Sequence, residues 1–290
     1  MNKSQTVVVL GKFDGVHIAH TKLISTAVDI ASQRGAGSLV YSMYKGNSPV
    51  LTHNDQKINI IKSLGVDRVV FRELDSGLMM LSAEEFVRDV LVGELNACCV
   101  VVGENFRFGR QRCAGIDELI EICSTINIDV VVLDMVHIGD QTVSSTLVRK
   151  LLSSGDVAGA GQYLGRPFSV WGTVAEGKHL GRTLGFPTLN IYPDSTVYLP
   201  ANGVYATNVV FCNTRYPAIT NIGVNPTVEE GNNIKIETHI FGKTSIDYGH
   251  RIAIEFLEFI RPEIHFATTD LLQNQVQSDK EKAKIIHNLK

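Results

Sequence analysis

The sequence changes its pattern once, and that change limits the folds open to it. From Thr6 to about residue 155, short apolar runs alternate with segments of helical spacing. Thr6–Leu10 reads as a buried strand. His17–Arg34 reads as a helix with Leu23, Ile24, Ala27, Ile30 and Ala31 at helical spacing and Gly35 as its stop. Strands follow at Ser38–Tyr41, Arg68–Phe71, Cys99–Val102 and Val130–Leu133. Helices are expected at Asp55–Leu64, Ala83–Glu94 and Ile116–Ile126. Repeated strand–helix units predict an α/β domain with a parallel, doubly wound sheet, whose ligands bind at the carboxyl ends of the strands. After Gly165-Arg166-Pro167 the strands succeed one another with turns between them, as in Phe168–Ala175, Val204–Phe211, Ile234–Phe241 and Arg251–Phe256. That spacing predicts an all-β sandwich or small barrel. A helix over Thr268–Asn288 closes the chain, with Leu271, Leu272, Val276, Ile285 and Ile286 on its apolar side. The expected division is 1–160 and 166–290.

With 290 residues, the chain can bury a core in each part. A net charge of -3 argues against a broad nucleic-acid surface but leaves room for a small basic pocket. The cysteines are Cys98, Cys99, Cys113, Cys123 and Cys212, with no CxxC pair, which argues against a zinc site or a disulfide framework. Cys98 and Cys99 are expected as buried thiols. The apolar runs are too short to cross a bilayer, and no leader precedes the first strand, so a soluble cytoplasmic protein is expected.

Two segments carry chemistry in the first part. His17 and His20 lie three apart at a helix start, so they share a face where N–H groups and the helix dipole favour an anion. Gly11 and Gly15 let the backbone approach a ligand. Further along, Ser144 or Ser145 can cap a helix whose Thr146 and Arg149 share a face, a second anion-binding group. The glycines of Gly159–Gly165 have the wrong spacing for a dinucleotide loop and read as a helix end and linker.

In the second part, Thr188 and Asn190 point to one side of a strand while Leu189 points inward. A hydroxyl beside a carboxamide oxygen suits a phosphate-bound Mg²⁺, and Gly181 and Gly185 free the preceding loop to wrap phosphates. Ile234, Ile236 and Ile240 face one side of a later strand, and Lys235, Glu237 and His239 the other. Two readings of Glu237 stay open: a general base, or a solvated residue balanced by Lys235.

These motifs, in this order, resemble those of bacterial FAD synthetases, which are bifunctional riboflavin kinase/FMN adenylyltransferases. Gly11-Lys12-Phe13-Asp14-Gly15-Val16-His17-Ile18-Ala19-His20 resembles the family's G-x-F-D-G-x-H-x-G-H. Val102–Gly109 resembles its flavin-side loop, and Ser144-Ser145-Thr146-x-x-Arg149 its second nucleotide motif. Gly181–Asn190, Gly203-Val204-Tyr205, Asn221–Thr227 and Glu237-Thr238-His239 resemble the kinase motifs. The resemblance implies a six-stranded kinase barrel. It implies ATP as co-substrate with Mg²⁺, and riboflavin, FMN and FAD as substrates or products; no nucleic-acid or membrane partner is expected, and the oligomeric state is left open.

By the same resemblance, His17 and His20 stabilise ATP phosphates. Gly11, Phe13, Asp14, Gly15, Asn105, Ser145, Thr146 and Arg149 bind nucleotide or flavin. Gly181, Gly185, Thr188 and Asn190 hold MgATP, Glu237 takes the proton of the riboflavin 5′-hydroxyl, and Arg261 lies near the flavin end. Two departures stand out. Ala19 replaces a usual glycine, and Tyr41–Pro49 replaces an F-D-P-H-P-like segment. They motivate an alternative, a riboflavin kinase with a weakened or inactive adenylyltransferase domain. A flavin or nucleotide sensor without turnover is a third reading.

Overall fold

The computed structural model describes residues 5–46, 48–176, 186–193, 196–224 and 234–289. The chain divides into two compact units, Met1–Ser145 and Thr146–Lys290.

In the first unit, β1 (Thr6–Gly11), β2 (Gly37–Tyr44), β3 (Arg68–Glu73), β4 (Ala97–Gly103) and β5 (Asp129–Leu133) form a parallel sheet of order β3-β2-β1-β4-β5. Its buried strands read as near-continuous apolar runs, as expected of a sheet covered on both faces. One core layer gathers Val7, Val9, Phe13, Val16, Ile24 and Ile61. The other gathers Val8, Leu10, Leu39, Tyr41, Phe86 and Leu91. Helix α1 (Ile18–Arg34) ends at Gly35, as the sequence predicts, and α2 (Asn54–Ser63) leads into β3. The strand order reverses between β1 and β4, where open α/β sheets leave a crevice for ligands.

The expected helix over Ala83–Glu94 differs from the structure. A short helix α3 (Ser76–Met80) precedes it, and α4 (Ala83–Glu85) widens into a π-helix over Phe86–Glu94. The apolar spacing does not explain the wider turns, since Phe86 and Val90, Val87 and Leu91, and Leu91 and Leu95 are buried pairs four apart that an α-helix also keeps on one face. After α5 (Ile116–Ser124), β6 (His137–Ile138) and β7 (Gln141–Thr142) form a small ribbon.

Helix α6 (Ser145–Ser153) starts at the last residue of the first unit, and its remainder opens the second, followed by α7 (Val157–Leu164), which ends at Gly165. A closed barrel follows: β8 (Phe168–Ala175), β9 (Leu189–Pro193), β10 (Gly203–Phe211), β11 (Thr214–Val224), β12 (Ile234–Ile240) and β13 (Arg251–Arg261), ordered β10-β11-β12-β9-β8-β13. Closure brings β8 very close to β9: a Cβ on Gly172 would lie 2.3 Å from Ile191 Cγ2. Inside, Thr207, Thr220 and Thr238 are fully buried, and their hydroxyls link in series at 2.7 and 2.9 Å. Linkage satisfies each hydroxyl and so removes the cost of burying it.

Helix α8 (Thr269–Ile286) covers the outer face of the barrel. The expected apolar side needs correction. Leu271 and Ile285 are exposed, at 53% and 74%, whereas the inward stripe is Leu272, Val276, Asp279, Ala283 and Ile286. Those positions advance by four, three, four and three, the helical facing repeat, so Leu271 and Ile285 fall beside the stripe. Asp279 sits in it at 1% exposure because Arg261 meets it through Nε and Nη2, each at 2.8 Å. Gln275 Nε2 donates to its other oxygen.

Tyr41 offers a test of the first core. It is fully buried, and its hydroxyl has no hydrogen-bond partner among the described residues. Burial, with Glu94 nearby, pushes its pKa from 10.0 up to about 12. A raised folded value means its contribution to stability is present below pH 10 and is lost as pH rises toward about 12. Tyr41→Phe removes an unsatisfied group and is expected to raise the unfolding free energy by about 1 kcal/mol at neutral pH. Urea denaturation from pH 7 to 11 should also show a smaller alkaline loss for the variant than for the parent.

Candidate functional site

The loop that follows β1 is held in an uncommon backbone shape. Phe13, Gly15 and Val16 have φ of 48°, 83° and 41°. Only glycine adopts such values freely, and for a β-branched residue the cost is about 1–3 kcal/mol. Phe13 and Val16 are both fully buried, worth roughly 1.5–3 kcal/mol each, so anchoring offsets the strain. Hydrogen bonds fix what remains. The Lys12 carbonyl accepts from Ser42 Oγ at 3.1 Å and from Lys57 Nζ at 3.4 Å. Asp14 Oδ1 accepts from the Leu51 N–H, and the Asp14 carbonyl accepts from Ser145 Oγ, both at 2.8 Å. Asp14, expected as a ligand contact, therefore spends one carboxylate oxygen on bracing the loop.

His17 is the N-cap of α1, and its Nδ1 accepts from the His20 N–H at 3.3 Å. The two imidazoles stack at 3.6 Å with planes 12° apart, and Phe13 meets His20 edge-on at 5.2 Å. The shared face expected of the two histidines is thus present. It stands at the carboxyl end of β1, beside the switch in strand order. Ala19 lies half-buried in the first turn of α1. Asn105 is exposed just past the carboxyl end of β4, on the other side of that switch. Thr146 and Arg149 lie on α6 within the second unit. There the Arg149 guanidinium lies 5.9 Å from the Tyr198 ring centre, and its carbonyl accepts from the Tyr198 hydroxyl at 3.4 Å.

Lys57 was not singled out by sequence. It is 2% exposed, its ammonium lies 5.5 Å from the Phe71 ring centre, and burial lowers its pKa, with Asp14 opposing the shift. The signal was available: Lys57 shares the apolar face of α2 with Ile60 and Ile61, where a charge is out of place.

In the second unit, register decides which side chains meet. Asn221 pairs with Glu237 across β11 and β12, and Glu237 pairs with Asn190 across β12 and β9. Paired residues share a face, so the three form one row on the outside of the barrel. Leu189 pairs instead with the buried Thr238 and takes the inner side, as expected, though it is only half-buried. Asn190 is 6% exposed, and its Oδ1 is buried without a partner among the described residues. Such an oxygen is costly unless something else occupies it. Gly181 and Gly185 lie outside the described residues.

His239 Nδ1 bonds the Pro187 carbonyl at 2.8 Å, which ties the segment before Thr188 to β12. A cavity of about 360 Å³ opens between this face and α8. Thr188, Asn221, Glu237 and His239 line one side, and Leu272 and Val276 the other. Arg261 also borders it, but its guanidinium is committed to Asp279 and to the Pro262 carbonyl. Asn221 and Asp279 are further residues that sequence reasoning left without a role.

Comparison with known proteins finds a match for each part of the chain. A family model described as FAD synthetase matches residues 1–147, and one described as riboflavin kinase matches residues 164–287. The bifunctional riboflavin kinase/FMN adenylyltransferase of Buchnera aphidicola (from Acyrthosiphon pisum, strain APS) is 32% identical over 95% of this chain and 91% of its own. The chain belongs to the bifunctional riboflavin kinase/FMN adenylyltransferase family. The Escherichia coli K12 member is 32% identical over 96% of this chain and 91% of its own. A crystal structure described as a macrolide-efflux protein from Streptococcus pneumoniae superposes with a TM-score of 0.89, at 27% identity, covering 98% of this chain and 95% of that one. Among the described residues of this family member, no helix is long and apolar enough to cross a membrane.

The Ser145 bond to Asp14 gives a local test. Ser145→Ala leaves the strained loop one support short, a loss of about 1 kcal/mol or slightly more. FAD formation from added FMN is expected to fall about tenfold, with FMN formation from riboflavin unchanged. An unchanged FAD rate would mean that the loop keeps its shape without this bond.

Proposed function

We propose that Glu237, Thr188 and Asn190 carry riboflavin phosphorylation, and that the loop from Gly11 to His20 carries adenylyl transfer. The chain is an enzyme that uses ATP to convert riboflavin to FMN and then adenylylates FMN to FAD. The proposed division of labour is 166–290 for the first reaction and 1–160 for the second, in a soluble cytoplasmic protein.

The observation that carries the kinase reading is the row Asn190–Glu237–Asn221 beside the cavity. Glu237 faces a space large enough for a flat, mostly apolar ring system, with Leu272 and Val276 opposite. The riboflavin 5′-hydroxyl gives its proton to the Glu237 carboxylate as its oxygen bonds to the γ-phosphorus. The bond from that phosphorus to the β,γ-bridging oxygen breaks, and ADP leaves with the electron pair. The unpartnered, buried Asn190 Oδ1 fits a hard cation carried by nucleotide phosphates, and the Thr188 hydroxyl precedes it by two residues. Thr188 and Asn190 would hold Mg²⁺, which supplies charge neutralisation on the triphosphate. Gly181 and Gly185 are proposed to let the preceding backbone follow those phosphates.

For adenylyl transfer, an FMN phosphate oxygen attacks the α-phosphorus of ATP, and pyrophosphate leaves. No enzyme nucleophile is needed, so positioning and charge stabilisation do the work. His17 and His20 are proposed to face the ATP phosphates. Because His17 Nδ1 accepts from the His20 N–H, the His17 ring proton sits on Nε2, a donor suited to a phosphate oxygen. Gly11, Phe13, Asp14 and Gly15 shape the approach. Thr146 and Arg149 are proposed as phosphate contacts, Ser145 as one through its backbone N–H at the helix start, its hydroxyl being given to Asp14, and Asn105 as a flavin or phosphate contact.

Purified protein with riboflavin, ATP and Mg²⁺, followed by chromatography, tests the whole reading. FAD is expected. FMN that never proceeds to FAD, even with FMN supplied, would select a kinase with an inactive adenylyltransferase, the reading that Ala19 and the divergent 41–49 segment motivate. Glu237→Gln is expected to lower FMN formation by at least about 100-fold and to spare adenylylation of added FMN. His17→Ala is expected to do the reverse. Equal loss of both activities in either variant would contradict separate sites.

A further inference from the structure

Lys235 stands two residues before Glu237 on β12, on the same face of the strand, and its Nζ donates to Glu237 Oε1 at 2.6 Å. Among the described residues this is the single hydrogen bond of the Glu237 carboxylate. Glu237 borders the cavity and Lys235 does not, so the ammonium grips the carboxylate from outside the cavity wall. The side chains are 25% and 34% exposed, more sheltered than pairs such as Arg88–Asp89 at 67% and 51%.

We propose that Lys235 is a positioning residue for the phosphorylation step. It holds Oε1 so that Oε2 is the oxygen offered to the substrate hydroxyl. The inference rests on the reading of Glu237 as the base. A free glutamate turns about its last side-chain bonds and presents either oxygen in many directions. A clamp on one oxygen removes most of those states before substrate arrives. The proton of the 5′-hydroxyl then passes to Oε2, the oxygen–phosphorus bond forms, and ADP departs, while Lys235 keeps its own proton throughout. The ion pair is short and partly sheltered, and its two members lie two apart on one strand rather than on a flexible loop, so the clamp keeps its aim.

The test is steady-state kinetics of riboflavin phosphorylation by the full chain, with the urea unfolding curve of each variant as the control for folding. Lys235→Met is expected to lower kcat by about 10- to 100-fold, with KM for ATP and for riboflavin changed by no more than about twofold. Lys235→Arg is expected to recover most of the loss, since a guanidinium reaches the same oxygen. If the Met variant unfolds at lower urea than the parent, Lys235→Gln replaces it, keeping a donor of similar length without the charge. An unchanged or raised kcat overturns the proposal, because the carboxylate then reaches the hydroxyl without the clamp. A raised KM for ATP with kcat unchanged also overturns it, and makes Lys235 a phosphate contact. Glu237→Gln is run alongside. If that variant keeps kcat, the assignment of the base fails; if it loses kcat while Lys235→Met does not, only the clamp fails.

Discussion

Antiparallel pairing between β11, β12 and β9 determines which side chains can cooperate in the second unit. Asn221, Glu237 and Asn190 come from three strands far apart in sequence, and register alone sets them in one row. A slip of one residue on any of these strands would turn its member of the row into the barrel. The barrel resists such slips from within. Ile191 and Ile236 pair across β9 and β12 and are fully buried, and the three linked threonines add polar bonds that tolerate no displacement. Gly172 lets β8 approach β9 closely enough to complete the closure. The chemistry on the outer face is therefore placed by packing on the inner one.

Helix α8 completes the cavity, and the way it docks explains a charge in an otherwise apolar stripe. Asp279 is buried beside Ala283, where a leucine would pack more simply. Its pairing with Arg261, at the end of β13, fixes the helix in rotation and along its axis in a way apolar contact cannot. Breaking a buried pair costs more than the pair contributes, so helix and strand end are held as one piece. The wall formed by Leu272 and Val276 inherits that position.

Much of this architecture was legible in the sequence because the periodicities are clean. Alternation in Ile234–Ile240 put Glu237 and His239 on one face, and the structure keeps them there, facing the cavity. Gly35 and Gly165 ended their helices as read. The misses share a cause. Hydrophobic periodicity assumes turns of fixed width, so the widened helix over Phe86–Glu94 escaped it. It also counts only apolar residues, so Asp279 and Lys57, both buried, were passed over, and Leu271 and Ile285 were placed inward by neighbourhood rather than by angle. The bracing of the first loop by Ser42, Leu51 and Ser145 depends on segments that meet only after the sheet has formed. No local pattern announces it.

The two candidate sites rest on different physical supports, and this bears on how each tolerates change. The row on the barrel is fixed by backbone pairing, which is indifferent to most side chains outside it. The loop after β1 is held by buried anchors and a handful of hydrogen bonds against unfavourable φ values, so its shape depends on residues that are not themselves ligands. Substitution near such a loop can be absorbed only where the supports remain. Here the kinase motifs that resemble the family's stand without obvious loss, while Ala19 follows the strained loop in the first turn of α1 and Ser42 of the divergent segment touches it. Ser42, inside the divergent segment, still donates to Lys12. The divergence has therefore altered what surrounds the loop without removing that support, which favours a retained adenylyl-transfer site over a vestigial one.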